Sequence, residues 1–335
     1  MIPAIFGLSG LTLTDDERAF FRDSNPAGYI LFGRNIKNRE QLRRLTDDLR
    51  SLAGRANLPI LIDQEGGRVA RMKAPEWPDF PSGAAFDALY ERAPASAIEA
   101  ARLNAMALAS MLAEVGITVD CLPLLDVRQP GASDVIGDRA LGSEPMRVAA
   151  LGRAILSGLQ DGGIVGVVKH IPGHGRALLD THEALPTVTA PDRDLQTDLA
   201  PFAALRDAAM AMTCHVVFEA WDPDRPATLS PLVIDSIIRQ RVGFHGLLMT
   251  DDLDMKALSG DVPSRAAGAI AAGCDIALNC WAKMDDMIGI AKVLDPISTV
   301  SLARLEGAMD RVVGAHDSRA FDMLVDQRDA LLALA

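Results

Sequence analysis

Seven consecutive residues, Lys169-His170-Ile171-Pro172-Gly173-His174-Gly175, followed at a short distance by Asp180-Thr181-His182, combine a cation, three imidazoles and a carboxylate around glycines. Asp180 and His182 are two positions apart, which in an extended loop sets both side chains on one side, close enough for the carboxylate to orient and charge the imidazole. Such a pair is equipment for giving and taking a proton. Two residues that close an apolar run, Asp251 and Asp252 after Gly246-Leu247-Leu248-Met249, add carboxylates. Strand alternation points Asp251 into the mouth of a site and turns Asp252 the other way, which makes Asp251 the candidate nucleophile. A helix N-cap is the competing role for either aspartate. His170, His174, Asp180 and His182 also bear the donor types that hold zinc or iron, but their spacing matches neither HExxH nor a cysteine-based site, and no metal is expected.

These groups need a scaffold. Eight short β-like runs occur, at 2–8, 29–32, 59–62, 118–125, 164–169, 211–217, 247–250 and 275–279. The gaps hold helical patterns, such as Leu42, Leu45, Leu49 and Leu52, or Val148, Leu151, Ile155 and Leu159. Strict alternation of strand and helix implies a parallel sheet with right-handed crossovers, and eight units close a (β/α)8 TIM barrel. An open doubly wound sheet is the rival, but the first strand lacks the GxGxxG turn common in its dinucleotide-binding versions. No linker divides the chain, so residues 1–335 are expected to form one catalytic barrel, with 301–335 as a C-terminal helical extension. The long excursion over 171–189 is expected to be its most mobile loop.

In such a barrel the strand ends share one face. They carry Asp63-Gln64-Glu65-Gly66-Gly67-Arg68 with Arg71 beyond, Asp126, Asp138 and Arg139, Lys169 and His170, His215, Asp251 and Asn279.

The 335 residues are 49% hydrophobic with a formal net charge of -12, which suits a soluble globular enzyme and disfavours nucleic acid or an anionic membrane as partner. The first cation is Arg18 and no apolar run reaches a membrane span, so a cytoplasmic location is expected. Cys121, Cys214, Cys274 and Cys280 lie in apolar segments without a CxxC pair and read as buried thiols. No cofactor is implied, and oligomeric state is left open.

The motif from Lys169 to Gly175 with Asp180-Thr181-His182 resembles the KHFPGHG…DSH signature of glycoside hydrolase family 3, and within it the NagZ-type β-N-acetylglucosaminidases. Asp63-Gln64-Glu65-Gly66-Gly67-Arg68-Val69, Gly137-Asp138-Arg139, Cys214-His215-Val216 and Thr250-Asp251-Asp252-Leu253-Asp254-Met255 resemble further motifs of that group, in the same order. The resemblance implies a retaining exo-hydrolase that removes terminal β-linked N-acetylglucosamine, chiefly from anhydro-muropeptides in peptidoglycan recycling. It makes Asp251 the nucleophile, His182 the acid and base, and Asp180 its orienting partner. Asp63, Arg71, Arg139, Lys169 and His170 would grip the sugar. Ile171, Thr181, Thr250 and Asp254 depart from the group's usual residues without removing a catalytic group. Arg34, Arg68 and Arg176 are further cations that an acidic muropeptide could meet.

Transfer of the sugar to phosphate on the same Asp/His pair is the nearest rival. A metal-dependent barrel hydrolase and a non-catalytic sugar-binding protein are rivals of other classes.

Overall fold

The computed structural model describes residues 1–312 and 320–335. Eight parallel strands form one sheet: β1 Ile2–Gly7, β2 Pro26–Leu31, β3 Ile60–Ile62, β4 Val119–Asp120, β5 Val165–Ile171, β6 Met210–Thr213, β7 Leu247–Met249 and β8 Ala277–Asn279. Each pairs with its neighbour in chain order, and β1 also pairs with β8, Ile5 opposite Leu278. The circle closes between β7 and β8 through a bridge from Met249 to Ile276, with the Leu278 N–H donating to Thr250 Oγ1 at 2.9 Å. The expected (β/α)8 barrel is what forms.

All eight strands overlap the apolar runs, although two are much shorter than the sequence suggests. Within the run 118–125 the regular strand is only Val119–Asp120, because Pro123 has no N–H to donate; beyond it a single bridge, Leu124 to Lys169, keeps the segment against β5. The run 211–217 divides into β6 and a separate strand, Val217–Phe218, which joins Thr187–Val188 and Asp222–Pro226 in a small three-stranded sheet. The excursion over 171–189 is therefore anchored at its far end, since Thr187 pairs with Val217.

Helices between the strands follow from caps and stripes. Thr14 and Glu17 form a capping box at the start of Asp15–Ser24, and Asn38 caps Arg39–Ala53, which Gly54 ends in the left-handed conformation. Two apolar cores result. One fills the lumen with inward residues such as Ile5, Leu61, Val119, Val167, Met212, Met249 and Leu278, and the other packs the strands' outer faces against the helices.

After β8 come the helices Met284–Val293, Thr299–Met309 and Phe321–Leu332; residues 313–319 of the stretch 301–335 lie outside the described residues. The last helix lies on Pro94–Glu114, where Arg328 donates to Asn104 Oδ1 at 3.0 Å. All four cysteines are free and buried. No helix among the described residues is long and apolar enough to cross a membrane.

One close approach fixes the loop after β5. A Cβ on Gly175 would stand 2.0 Å from the Val127 carbonyl oxygen, which is backbone and cannot yield easily. Gly175→Ala is expected to destabilise the fold by about 1–3 kcal/mol through this overlap, read as a lowered midpoint in urea.

Candidate active site

A cavity of about 160 Å³ opens at the carboxyl ends of the strands, and its walls carry Asp63, Glu65, Arg71, Arg139, Lys169, His170, His174, His182, Asp251 and Asp252. Of the residues given a catalytic or sugar-gripping role in the sequence analysis, all but Asp180 line it, and Asp180 is hydrogen-bonded to His182.

One side of the cavity is a network of alternating charges. Asp63, immediately after β3, accepts Lys169 Nζ at 3.1 Å on one oxygen and Arg71 Nη2 at 3.0 Å on the other. Lys169 also meets Glu65 at 2.6 Å, and Glu65 takes the Arg139 guanidinium in a two-pronged pair, both contacts 2.8 Å. Burial opposes charge on Asp63, Glu65, Lys169 and Arg139, but the opposite charges around them overcome it. Lys169 and Arg71 hold Asp63 well below the usual carboxylate range, and the two carboxylates raise Lys169. Arg71 is placed further by Gln64, whose side-chain oxygen accepts the Arg71 N–H at 2.8 Å, and by the Phe32 ring 5.2 Å below its guanidinium.

Glu65 was not among the residues picked out from the sequence, yet it joins two of them. Its signal was its place in the strand-end run beside Asp63; its pairing is set by loops that meet only in three dimensions. Because Lys169 is 2% exposed, removing its charge strands two buried carboxylates. Lys169→Met is expected to lower stability by about 3–5 kcal/mol, measured by denaturant titration.

Strand alternation would send Lys169 and His170 to opposite faces. Both reach the cavity because the pairing of β5 with β6 shifts register between Lys169 and Ile171. Asp126, fully buried at the end of the β4 segment, fixes the result. One of its oxygens accepts the backbone N–H of His170 at 3.2 Å and of His174 at 2.6 Å, and the other meets His170 Nδ1 at 2.7 Å. Burial would raise its pKa, but His170 and these hydrogen bonds bring it down to about 2. With Nδ1 engaged, His170 has its Nε2 free for a ligand.

Asp251 lines the same cavity, 9% exposed, with Oδ1 accepting the Asp252 N–H at 2.8 Å. It caps no helix: the next one, Val262–Ala272, is capped by Asp261, which accepts the Ser264 N–H. Asp252 does not face away as alternation predicts. It lines the same cavity, since the ladder ends at Met249 and the turn beyond aims its carboxylate at the N–H groups of Asp254 and Cys280, at 3.2 and 3.1 Å. Burial pushes Asp252 up to about 6. His215 braces this turn from below, its Nε2–H donating to the Asp252 carbonyl at 3.0 Å, and it stays outside the cavity.

The loop after β5 supplies the third group. Asp180 Oδ1 accepts both the backbone N–H of His182 at 2.9 Å and its ring Nδ1–H at 2.7 Å. The pair sits in a turn, with the Glu183 and Ala184 N–H groups on the Asp180 carbonyl, rather than in the extended loop predicted. With Nδ1 held, Nε2 of His182 is the atom available for proton transfer. The ring is more than half exposed, whereas Thr181 is buried and its carbonyl takes the Ala257 N–H at 3.1 Å.

Three expected cations are elsewhere. Arg34 donates to the carbonyls of Leu8 and Cys280, Arg68 pairs with Asp138, and Arg176 pairs with Asp198 at 2.6 Å; none lines the cavity. Their own acidic or carbonyl partners outbid a distant ligand. Among the described residues no three histidine, cysteine or acidic side chains converge in a metal-ligating arrangement.

A closed barrel whose strand-end cavity holds a buried carboxylate, a histidine held by an aspartate and a dense polar network has the make-up of an enzyme site. The model of the glycosyl hydrolase family 3 N-terminal domain matches residues 6–315. A β-hexosaminidase of Alkalilimnicola ehrlichii is 38% identical over 316 residues, spanning 91% of this chain and 88% of that protein. The structure of NagZ from Neisseria gonorrhoeae in complex with N-trifluoroacetyl-D-glucosamine superimposes with a TM-score of 0.88 at 30% identity, covering 99% of this chain and 97% of the other. A family 3 β-N-acetylglucosaminidase from a Paenibacillus species gives the same TM-score at 31% identity, covering 98% of this chain and 66% of that one. The chain belongs to glycosyl hydrolase family 3, and it is a glycoside hydrolase.

Proposed function

We propose that this β-N-acetylhexosaminidase is a retaining exo-enzyme that releases terminal β-linked N-acetylglucosamine through a covalent glycosyl ester on Asp251. The observation that carries this reading is the placement of Asp251 and of His182, held by Asp180, on the walls of one cavity. In the first step an Asp251 oxygen bonds to the anomeric carbon as the glycosidic bond breaks, and His182 Nε2 gives its proton to the departing oxygen. In the second, His182 takes a proton from water, the water oxygen bonds to the anomeric carbon, and the ester bond to Asp251 breaks. Two displacements at one carbon preserve its configuration. Asp180 orients the ring and stabilises its cationic form, as a carboxylate does for a catalytic imidazole elsewhere.

Asp63, Arg71, Lys169, His170 and Arg139 bind the hydroxyls of the terminal sugar. Each cation among them is paired with Asp63 or Glu65, so they offer fixed hydrogen bonds in a cavity sized for a single sugar. The substrate is the GlcNAc-1,6-anhydroMurNAc unit of muropeptides, the setting is peptidoglycan recycling in the cytoplasm, and residues 1–335 act as one catalytic barrel with a helical extension. The names of the relatives and the motifs of this chain support that assignment.

The test is turnover of a chromogenic aryl β-N-acetylglucosaminide beside the matching β-glucoside, each with and without phosphate. The expected result is release of free N-acetylglucosamine with strong preference for the acetamido sugar. Formation of sugar 1-phosphate in preference to free sugar overturns hydrolysis, and equal turnover of both glycosides overturns the substrate class.

A further inference from the structure

The roles above leave His174 unused. His174 begins the loop after β5, lines the cavity and is 3% exposed. Its backbone N–H is fixed on Asp126, and its ring stands edge-on to His170 with centroids 5.8 Å apart, so the carboxylate that sets His170 also sets His174. Nδ1 of the His174 ring is sealed from solvent and has no hydrogen-bond partner. Burial pushes the ring's pKa down to about 4, against the pull of Asp126, which leaves it neutral at neutral pH.

A neutral imidazole carries one N–H. Placing it on Nδ1 would bury an unmet donor, the rarer and more costly arrangement, so the favoured tautomer carries it on Nε2, the nitrogen left to face the cavity. The ring sits within electrostatic reach of Asp251 and Asp180, at the reacting end of the cavity. When the anomeric carbon of a pyranoside stands at Asp251, its ring neighbours are C2 and the ring oxygen. Only C2 bears a substituent, and in an N-acetylglucosaminide that substituent is an amide whose carbonyl oxygen accepts a hydrogen bond.

We propose that His174 is a specificity-determining residue, its Nε2–H donating to the carbonyl oxygen of the substrate's 2-acetamido group. The inference rests on the N-acetylglucosaminidase reading above. A site built around such a bond discriminates against a sugar that lacks the partner, because the donor is then buried unpaired.

The test compares kcat/KM on an aryl β-N-acetylglucosaminide and on the matching β-glucoside in the parent, His174→Phe, His174→Gln and His174→Asn. Where glucoside turnover is too slow, the dissociation constants of N-acetylglucosamine and glucose give the same ratio. His174→Phe should lose roughly 10–100-fold on the acetamido sugar and little on the glucose compound. The Gln amide nitrogen falls near the position of Nε2 and should restore most of the preference; the shorter Asn should not. Should the Phe variant fail to fold, the contrast between Gln and Asn decides alone. An unchanged preference in the Phe and Asn variants, an equal fall on both sugars, or a Gln variant no better than Asn overturns the proposal. A parent inert toward the N-acetylglucosaminide sinks the underlying reading, a result distinct from each of these.

Discussion

Asp251→Asn is expected to abolish steady-state turnover, by about 10⁴-fold or more, while leaving the melting temperature within a few degrees of the parent. The size of the effect follows from chemistry. An amide cannot form the ester that divides the displacement into two steps, and nothing else in the cavity is placed to substitute. Asp252, the neighbouring carboxylate, is raised to about 6 by burial and is occupied by the N–H groups of Asp254 and Cys280, so it is a poor replacement. The fold survives because the hydrogen bond that Asp251 accepts from the Asp252 N–H can equally be accepted by the amide oxygen of asparagine. Activity assays on protein of unchanged thermal stability check the prediction, and a variant that keeps more than a few per cent of parental turnover contradicts it.

His182→Ala is the second large effect, and its size depends on the substrate. A natural sugar leaving group needs a proton as the bond breaks, so loss of the acid should lower kcat/KM by about 10²–10⁴-fold. A dinitrophenolate leaves without one, and on that substrate the first step should be nearly unaffected. The ester then accumulates, because the same imidazole activates water in the second step, and a burst of phenolate followed by a slow steady state is expected. Asp180→Asn should share the defect in weaker form, since the ring loses its charged partner while keeping a backbone-bonded neighbour. Equal losses on good and poor leaving groups would remove His182 from the proton-transfer role.

The sequence and the structure agree most closely where a residue's position is set by its own strand. Every barrel strand sits on a run of apolar residues, and Asp63, Lys169, His170 and Asp251 stand where those runs end. The Asp180–His182 pair was legible from spacing because a two-residue separation keeps the side chains within reach in a turn as it does in an extended loop. What stayed hidden depends on meetings between distant segments. Asp126 and Glu65 are the two carboxylates that organise the site's imidazoles and cations; their strand-end places were legible, but nothing local shows which groups they meet. The turn after β7 overrode the alternation that turned Asp252 away from the site. The small sheet of Thr187–Val188, Val217–Phe218 and Asp222–Pro226 has strands too short for periodicity, one of them bounded by prolines, so it reads as loop.

The most direct measurement is to trap the enzyme with an activated fluorinated N-acetylglucosaminyl donor that forms the ester quickly and releases it slowly, then to locate the label by peptide mass spectrometry. The account predicts one sugar per chain on the peptide that contains Asp251, and no label in Asp251→Asn. A sugar on any other side chain, or active enzyme that turns over but never carries one, would contradict it.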